Sequence, residues 1–248
     1  MVNNQKKYLI ISGDDYGLTK GVSEGILDAL DVNGISDTNF IATSDFSLES
    51  LELAKKRNLL AMGIHLNLEI GHSVYYRREM DFLNTHLGHD NYYSMIENEF
   101  HEQINYLIRN GIALSHITYH KNIIDNSNMV RIIEKLALEY DVPVRKLESP
   151  NLNRLLKSEN ILMCDKKIIN TNNQNYSLAL LKDLFESVGD SKSVELVCHP
   201  GYVTKELYML SSMTNNRQKE WDLFTSSQVK CMIKEMNFEI INYTQLKD

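Results

Sequence analysis

The sequence predicts an α/β protein with about seven mainly parallel strands, and three observations support this fold class. Short apolar runs alternate with longer segments of helical periodicity, which is typical of βα units. The 248 residues, 43% hydrophobic and 24% charged, suit a protein that buries a large core. No Pro-, Gly- or Ser-rich stretch marks a boundary, so residues 1–248 are predicted to form a single domain. A closed or nearly closed barrel fits these units, and an open doubly wound sheet is the alternative.

The predicted strands are short apolar runs bounded by glycine, proline or polar residues. The first run ends at Gly13, and Pro143 lies within the fifth. Near-continuous apolar runs of this kind are typical of strands that are buried on both faces of a parallel sheet. The seven predicted strands are residues 8–11, 39–42, 60–68, 112–118, 142–144, 193–198 and 238–241.

The predicted helices show apolar residues at helical spacing. In the first, Val22, Ile26 and Leu30 share one face. Ser94 begins the second, with Glu97 three residues later in a capping-box pattern. The predicted helices are residues 19–33, 94–110, 128–140, 176–188 and 228–236. Residues 72–93 are polar, aromatic and poorly periodic, and are predicted to form a long loop of the kind that often acts as a lid.

Charge and composition exclude several classes of protein. A formal net charge of −7 disfavours binding to DNA or RNA. The N-terminus has no long apolar stretch before Asp14 and Asp15, and no run of 18 apolar residues is present elsewhere, so we expect neither a signal peptide nor a membrane span. Cys164, Cys198 and Cys231 form no CxxC pair, which favours reduced thiols in a cytoplasmic protein.

Polar side chains follow the predicted strands, at the edge where parallel α/β proteins place their sites. One aspartate and two histidines from this set would hold a divalent metal and leave positions open for water and substrate. Such ligands suit zinc, iron or manganese, whereas magnesium prefers more oxygen ligands. The set comprises Asp14, Asp15, His65, His116, His120, Arg145 and His199.

Each member of this set also has a purely structural interpretation. Adjacent acids are common in surface turns, His65 fits a hydrogen-bonded core histidine, His116 and His120 fit exposed loop positions, and His199 fits a turn before Pro-Gly. Their convergence on one edge favours the functional interpretation. The absence of HExxH, P-loop, GxGxxG and GxSxG patterns disfavours zincin proteases, nucleotide-binding folds and serine hydrolases.

Five motifs in order resemble those of one known family. They are ISGDDYGL at residues 11–18, GIHLNL at 63–68, SHITYH at 115–120, VPVR at 142–145 and ELVCHPGY at 195–202. They resemble the patterns nADDfGls, GlHlnL, tHiDsHhHvH, gip-vR and ELmcHPGy of the YdjC-like carbohydrate deacetylases, which include chitooligosaccharide deacetylase. The resemblance implies a deformed or incomplete (β/α) barrel that binds one divalent ion, magnesium or zinc, through Asp15, His65 and His120.

The resemblance also implies a reaction, the removal of an acetyl group from an N-acetylated amino sugar or oligosaccharide. In this scheme Asp14 is the general base, Arg145 orients Asp14, and His199 is the general acid. Two alternatives stay open: a metal-dependent sugar isomerase or aldolase, and a degenerate member that binds a sugar and acts through a partner protein. Since the family contains dimers, a homodimer is also expected.

The sequence departs from the family pattern near His120. Thr118 stands where the pattern has aspartate, and Lys121, Asn122 and Ile124 stand where it has further histidines; Gly13 stands in place of the usual alanine. These changes leave the sugar unassigned.

Three residues are candidate substrate contacts: Asn67, His116 and Lys121. The positive charge of Lys121 would favour a phosphorylated or acidic sugar. The aromatic side chains of the long loop are candidates for stacking on sugar rings, with a packed loop as the alternative.

Overall fold

A computed structural model describes residues 6–121, 123–170 and 176–246, and shows an α/β protein. The strands are β1 (Lys7–Tyr16), β2 (Asp37–Phe40), β3 (Ala61–Leu66), β4 (Ala113–Tyr119), β5 (Lys166–Ile169), β6 (Ser193–Cys198) and β7 (Phe238–Ile240). The helices are α1 (Lys20–Asp31), α2 (Ser47–Lys56), α3 (Asp81–Asn84), α4 (Tyr92–Arg109), α5 (Ser127–Tyr140), α6 (Pro150–Ser158), α7 (Leu178–Glu186), α8 (Lys205–Leu210), α9 (Asn215–Phe224) and α10 (Ser227–Glu235), followed by the 3₁₀ turn Tyr243–Gln245.

The described residues contain seven strands, and the pairings β1–β6, β1–β7, β2–β3, β3–β4 and β5–β6 are all parallel. The predicted fold class is therefore confirmed. Among the helices of the described residues, none is both long enough and apolar enough to span a bilayer.

The chain folds into two compact units. The first comprises Met1–Asp14, Gly21–Thr38 and Cys164–Asp248, and the second comprises Asp15–Lys20 and Asn39–Met163. Strands β1 and β2 each begin in the first unit and end in the second.

In the first unit, β6 lies between β1 and β5, and β7 pairs with the first residues of β1. Apolar side chains of β1 and β6, such as Leu9, Ile11, Val194 and Leu196, are fully or almost fully buried. The pair β1–β6 runs in register from Tyr8↔Ser193 to Gly13↔Cys198, so it carries the chain directly to Asp14 and to His199.

In the second unit, β3 lies between β2 and β4, and α4 packs against both β3 and β4. Ile64, Phe100, Ile104 and Ile117 have no exposed surface and form part of this core. The β3–β4 pairing brings His65 opposite Thr118 and Leu66 opposite Tyr119. These strands end with polar groups at the same edge, as expected for parallel neighbours.

Helix starts follow ordinary capping chemistry. The Asn126 side chain accepts hydrogen bonds from the amides of Asn128 and Met129 at the start of α5, and Ser226 caps α10 in the same way. The predicted start of a helix at Ser94 with a capping box is wrong, because α4 begins at Tyr92.

The first strand does not end at Gly13 as predicted, because β1 continues through the carboxylate pair to Tyr16. Residues 142–144 are not a strand either, since only Val144 forms a single parallel bridge, with Ile117. The fifth strand is β5, which was not predicted. Helices α2, α6, α8 and α9 were not predicted, and the predicted loop 72–93 contains the short helix α3 and the start of α4.

Candidate functional site

Asp15 lies in a tight turn near the end of β1. Its side chain is buried, and its φ of 71° lies in the left-handed region, which aspartate tolerates better than most residues. The Asp15 carbonyl accepts a hydrogen bond from the Leu18 amide at 3.0 Å. Gly17 follows with a φ of 95°, and a Cβ there would lie 2.8 Å from the Ile41 carbonyl oxygen. The turn therefore requires glycine at this position.

Two histidines meet the Asp15 carboxylate. His65 lies in β3, with Nε2 3.5 Å from Asp15 Oδ1, and His120 directly follows β4, with Nδ1 3.1 Å from the same oxygen. The two imidazole rings are 5.5 Å apart and almost perpendicular. Ligand atoms from all three residues lie within 4.8 Å of one another. The structure thus brings together the three residues that the sequence predicted as metal ligands.

The donor set is suited to a divalent ion. Two imidazole nitrogens and one carboxylate oxygen are typical ligands of zinc, iron or manganese, and three protein ligands leave positions for water and substrate. Asp15 and His65 have side chains 2% exposed, whereas His120 is 14% exposed. These three residues, called the Asp15 centre below, are therefore exposed to solvent chiefly at His120.

Asp14 precedes this centre by one residue and faces a different histidine. Asp14 Oδ2 lies 4.0 Å from His199 Nε2, with side-chain exposures of 3% and 20%. A carboxylate and an imidazole at this separation can hold an ion pair, and each is chemically able to accept or release a proton.

A buried acid on α9 anchors His199. The His199 backbone amide donates to Glu220 Oε2 at 2.6 Å. Burial raises the pKa of the Glu220 carboxyl, against the lowering effects of the His199 and Arg217 charges. Tyr176 lies nearby, and its hydroxyl donates to the Val197 carbonyl at 2.9 Å; burial raises the pKa of this hydroxyl above its usual value.

The loop that carries His199 packs directly on the backbone of α1. A Cβ at Gly25 would lie 2.7 Å from the Cα of Gly201, so the contact needs glycine in the helix. The indole of Trp221 donates to the Gly25 carbonyl at 2.9 Å, and the Tyr202 amide donates to the Gly21 carbonyl at 3.1 Å. Helix α1 thereby holds the residues after His199 in place.

Arg145 follows the bridge residue Val144 and is buried. Its backbone amide donates to the Ile117 carbonyl at 2.9 Å, which places Arg145 beside β4. Its predicted role toward Asp14 stays a prediction.

Asn67 is buried at the end of β3 and organises the chain that follows. Its side-chain nitrogen donates to Thr43 Oγ1 and to the Ile70 carbonyl, and its oxygen accepts from the amides of Glu69 and Ile70. The predicted contact of Asn67 with substrate stays a prediction, beside this structural role.

The other two candidate substrate contacts differ in exposure. His116 is buried, its Nδ1 lies 2.8 Å from Ser115 Oγ, and its ring covers Gly63, where a Cβ would lie 2.5 Å from His116 Nε2. Lys121 is exposed and forms an ion pair with Glu69 across the ends of β3 and β4. Asn122 lies outside the described residues.

A second buried acid, Glu99 on α4, was missed by the sequence analysis. Its carboxylate accepts hydrogen bonds from the Ser73 hydroxyl and from the amides of Val74 and Tyr75. Gln103 donates to Glu99 and to the Asn67 carbonyl, which links the loop to the end of β3. The available signal was a polar pair at i and i+4 within the apolar face of α4.

Comparison with known proteins gives consistent results. The family described as YdjC-like protein matches residues 8–235. A carbohydrate deacetylase of Clostridium beijerinckii is 26% identical over 253 residues, covering 96% of this chain and 99% of the relative. A carbohydrate deacetylase of Oceanobacillus iheyensis is 32% identical over 232 residues, covering 88% and 96%.

A solved structure shares the fold. It is described as a cellobiose-phosphate cleavage protein from Enterococcus faecalis V583, with a TM-score of 0.86 and 24% identity, over 96% of this chain and 98% of that one. The family match spans nearly the whole chain and includes the residues of both the Asp15 centre and the Asp14–His199 pair. This chain belongs to the YdjC-like protein family.

Proposed function

We propose that this protein is a metal-dependent hydrolase that removes the acetyl group from an N-acetylated amino sugar or oligosaccharide. The observation that carries the proposal is that ligand atoms of Asp15, His65 and His120 lie within 4.8 Å of one another. Asp14, which directly precedes Asp15 in the chain, faces His199. The names of several relatives, carbohydrate deacetylase, support the reaction. We extend the proposal to residues 1–248 acting as one domain, to a cytoplasmic location and to a homodimer.

Asp15, His65 and His120 would hold one divalent ion, zinc or magnesium. Such an ion, when bound, supplies Lewis acidity toward the acetyl carbonyl and makes water more acidic. Nitrogen ligands from two histidines favour zinc over magnesium in this proposal.

The remaining chemistry belongs to the side chains around the centre. Asp14 accepts a proton from the water that attacks the acetyl carbon, and Arg145 keeps Asp14 ionised and oriented. The carbon–nitrogen bond breaks, and His199 donates a proton from Nε2 to the leaving amine. The products are acetate and the free amino sugar.

The test is acetate release from a panel of N-acetylated mono- and oligosaccharides, with and without a phosphate group. We expect turnover that a chelator abolishes and that added metal restores. D14N should lower kcat about 10²- to 10⁴-fold, the usual contribution of a general base, while metal binding measured by calorimetry persists.

Asp190→Asn is the matched control, since Asp190 is an exposed aspartate in the connection between α7 and β6 and is not among the proposed catalytic or ligand residues. Near-normal turnover of D14N would refute the role of Asp14. Substrate conversion without acetate would instead favour the isomerase or aldolase alternative, and sugar binding without either metal or turnover would favour the degenerate member.

A further inference from the structure

We propose that Thr118 is a positioning residue of the metal centre, whose hydroxyl holds His65 in the tautomer that offers an unprotonated Nε2 to the ion. This inference rests on the metal site proposed above. Thr118 stands where the resembled family pattern has aspartate, so a neutral hydroxyl takes the place of a carboxylate in this chain.

The β3–β4 pairing creates the contact. His65 and Thr118 are directly opposite each other in the parallel register, and Thr118 Oγ1 lies 2.8 Å from His65 Nδ1. Both residues are buried, with 0% of Thr118 and 1% of His65 exposed. Water therefore does not compete for this hydrogen bond.

The direction of the hydrogen bond follows from the hydroxyl's second partner. Thr118 Oγ1 donates to the Ile64 carbonyl at 3.0 Å. A hydroxyl has one hydrogen and a carbonyl oxygen can only accept, whereas His65 Nδ1 can either donate or accept. One arrangement therefore makes both contacts hydrogen bonds: the hydroxyl hydrogen goes to the Ile64 carbonyl, and Nδ1 carries a hydrogen that it donates to the threonine oxygen.

The tautomer of His65 decides whether it can bind an ion. In neutral imidazole only one nitrogen is protonated, so a hydrogen on Nδ1 leaves a lone pair on Nε2. It is Nε2 that lies 3.5 Å from Asp15 Oδ1, among the other ligand atoms. Partners of this kind orient a ligating histidine, and their loss typically weakens metal binding 10- to 100-fold.

The first test reads the tautomer directly, in metal-free protein labelled with ¹⁵N-histidine, by long-range ¹H–¹⁵N NMR correlation. His65 is assigned from the spectrum of H65Q. We expect a protonated Nδ1 in the wild type and in T118S, which keeps the hydroxyl. In T118V, which replaces the hydroxyl with a methyl group of similar size, we expect a mixture of tautomers or protonation at Nε2.

The second test measures zinc affinity by calorimetry. T118V should weaken binding about 10- to 100-fold, and T118S should retain most of the wild-type affinity. T38V is the matched control, because Thr38 is also a buried strand threonine, and its hydroxyl donates to the Gly13 carbonyl at 2.7 Å. T38V should bind zinc as the wild type does.

The outcomes separate the inference from the proposed function. A wild-type protein that binds no metal refutes the proposed metal site, while the tautomer is still measurable. A protonated Nε2 in the wild type overturns the inference even if T118V does not fold. Wild-type zinc affinity in a folded T118V protein overturns it as well.

Discussion

Glu220 is a carboxyl group for which burial outweighs the attraction of nearby positive charge. Desolvation raises its pKa above the ordinary value of 4.5, although His199 and Arg217 act in the opposite direction. The pKa of Glu220 is therefore higher in the folded protein than in the unfolded chain. The contribution of this carboxyl group to stability is fully present below pH 4.5 and is lost as pH rises through the pKa of the folded protein.

This sign leads to a prediction for E220Q, whose amide oxygen can still accept the His199 amide hydrogen. The free energy of unfolding of E220Q relative to wild type should increase as pH rises from 4.5 toward neutrality, measured by urea denaturation. Glu235→Gln, on the exposed side of α10, should show no such trend. A pH-independent difference for E220Q would contradict the proposed cause of the shift.

Individual residues differ in how well the sequence predicts them. Asp15, His65 and His120 could be predicted as ligands because their motifs resemble those of a known family, although about 50 residues separate each from the next along the chain. The roles of Thr118 and Glu220 could not be predicted from the sequence. Their contacts with His65 and His199 depend on strand register and on which helix packs behind a loop. A buried polar side chain on a predicted strand or helix is visible in the sequence, but its partner is not.

Helix α4 shows how a secondary-structure element can hold a loop through buried polar groups. The Glu99 carboxylate satisfies two amides and one hydroxyl of residues 73–75, and Gln103 links it to Asn67. Loss of a fully buried, fully hydrogen-bonded acceptor leaves its donors unsatisfied. This lowers the free energy of unfolding by about 1–3 kcal/mol. Residues 73–75, at the start of the loop predicted as a lid, are therefore fixed to α4 by hydrogen bonds.

We expect E99Q to release this segment, because the new NH₂ group would face amide donors. The Val74 and Tyr75 amides should exchange with deuterium faster, and the free energy of unfolding should fall by about 1–3 kcal/mol. Glu97→Gln changes a half-buried acid on the same helix, one that pairs with the exposed Lys135, and should alter neither quantity. Unchanged protection of both amides in E99Q would rule out this anchoring role.

The mispredicted elements have physical explanations. Strand β5 has two lysines among its four residues, so no apolar run marks it, and its pairing with β6 supplies the missing stability. Helix α9 buries Arg217 and Glu220, which breaks the apolar periodicity on which the prediction depends. Helix α6 did carry a readable signal, a Ser149 cap followed by Pro150 at the first turn.

At the scale of the whole molecule, metal binding and folding should be linked. An ion held by the folded arrangement of Asp15, His65 and His120 binds the native state in preference to the unfolded chain, whose ligands are far apart in sequence. Stability should therefore depend on metal concentration.

We predict that zinc at about 100 times its Kd stabilises the protein by about 2.7 kcal/mol and raises Tm accordingly. The variant His120→Ala removes the most exposed of the three candidate ligands, and it should fold and lose most of this effect. His89→Ala, an exposed histidine outside the centre, should keep it. A zinc-dependent Tm increase that survives in the His120 variant would place the ion elsewhere.

The adjacency of Asp14 and Asp15 in β1 has a consequence for how the protein can vary. Consecutive residues joined by a trans peptide bond lie about 3.8 Å apart, measured between their α-carbons, whatever the rest of the chain does. The spacing between the candidate base and the first candidate ligand is thus set by one peptide bond, with no contribution from side-chain packing. Insertions in surface loops leave that spacing intact, because they change no bond between the two residues. The distance between these two α-carbons can therefore stay constant while the residues that contact the sugar change.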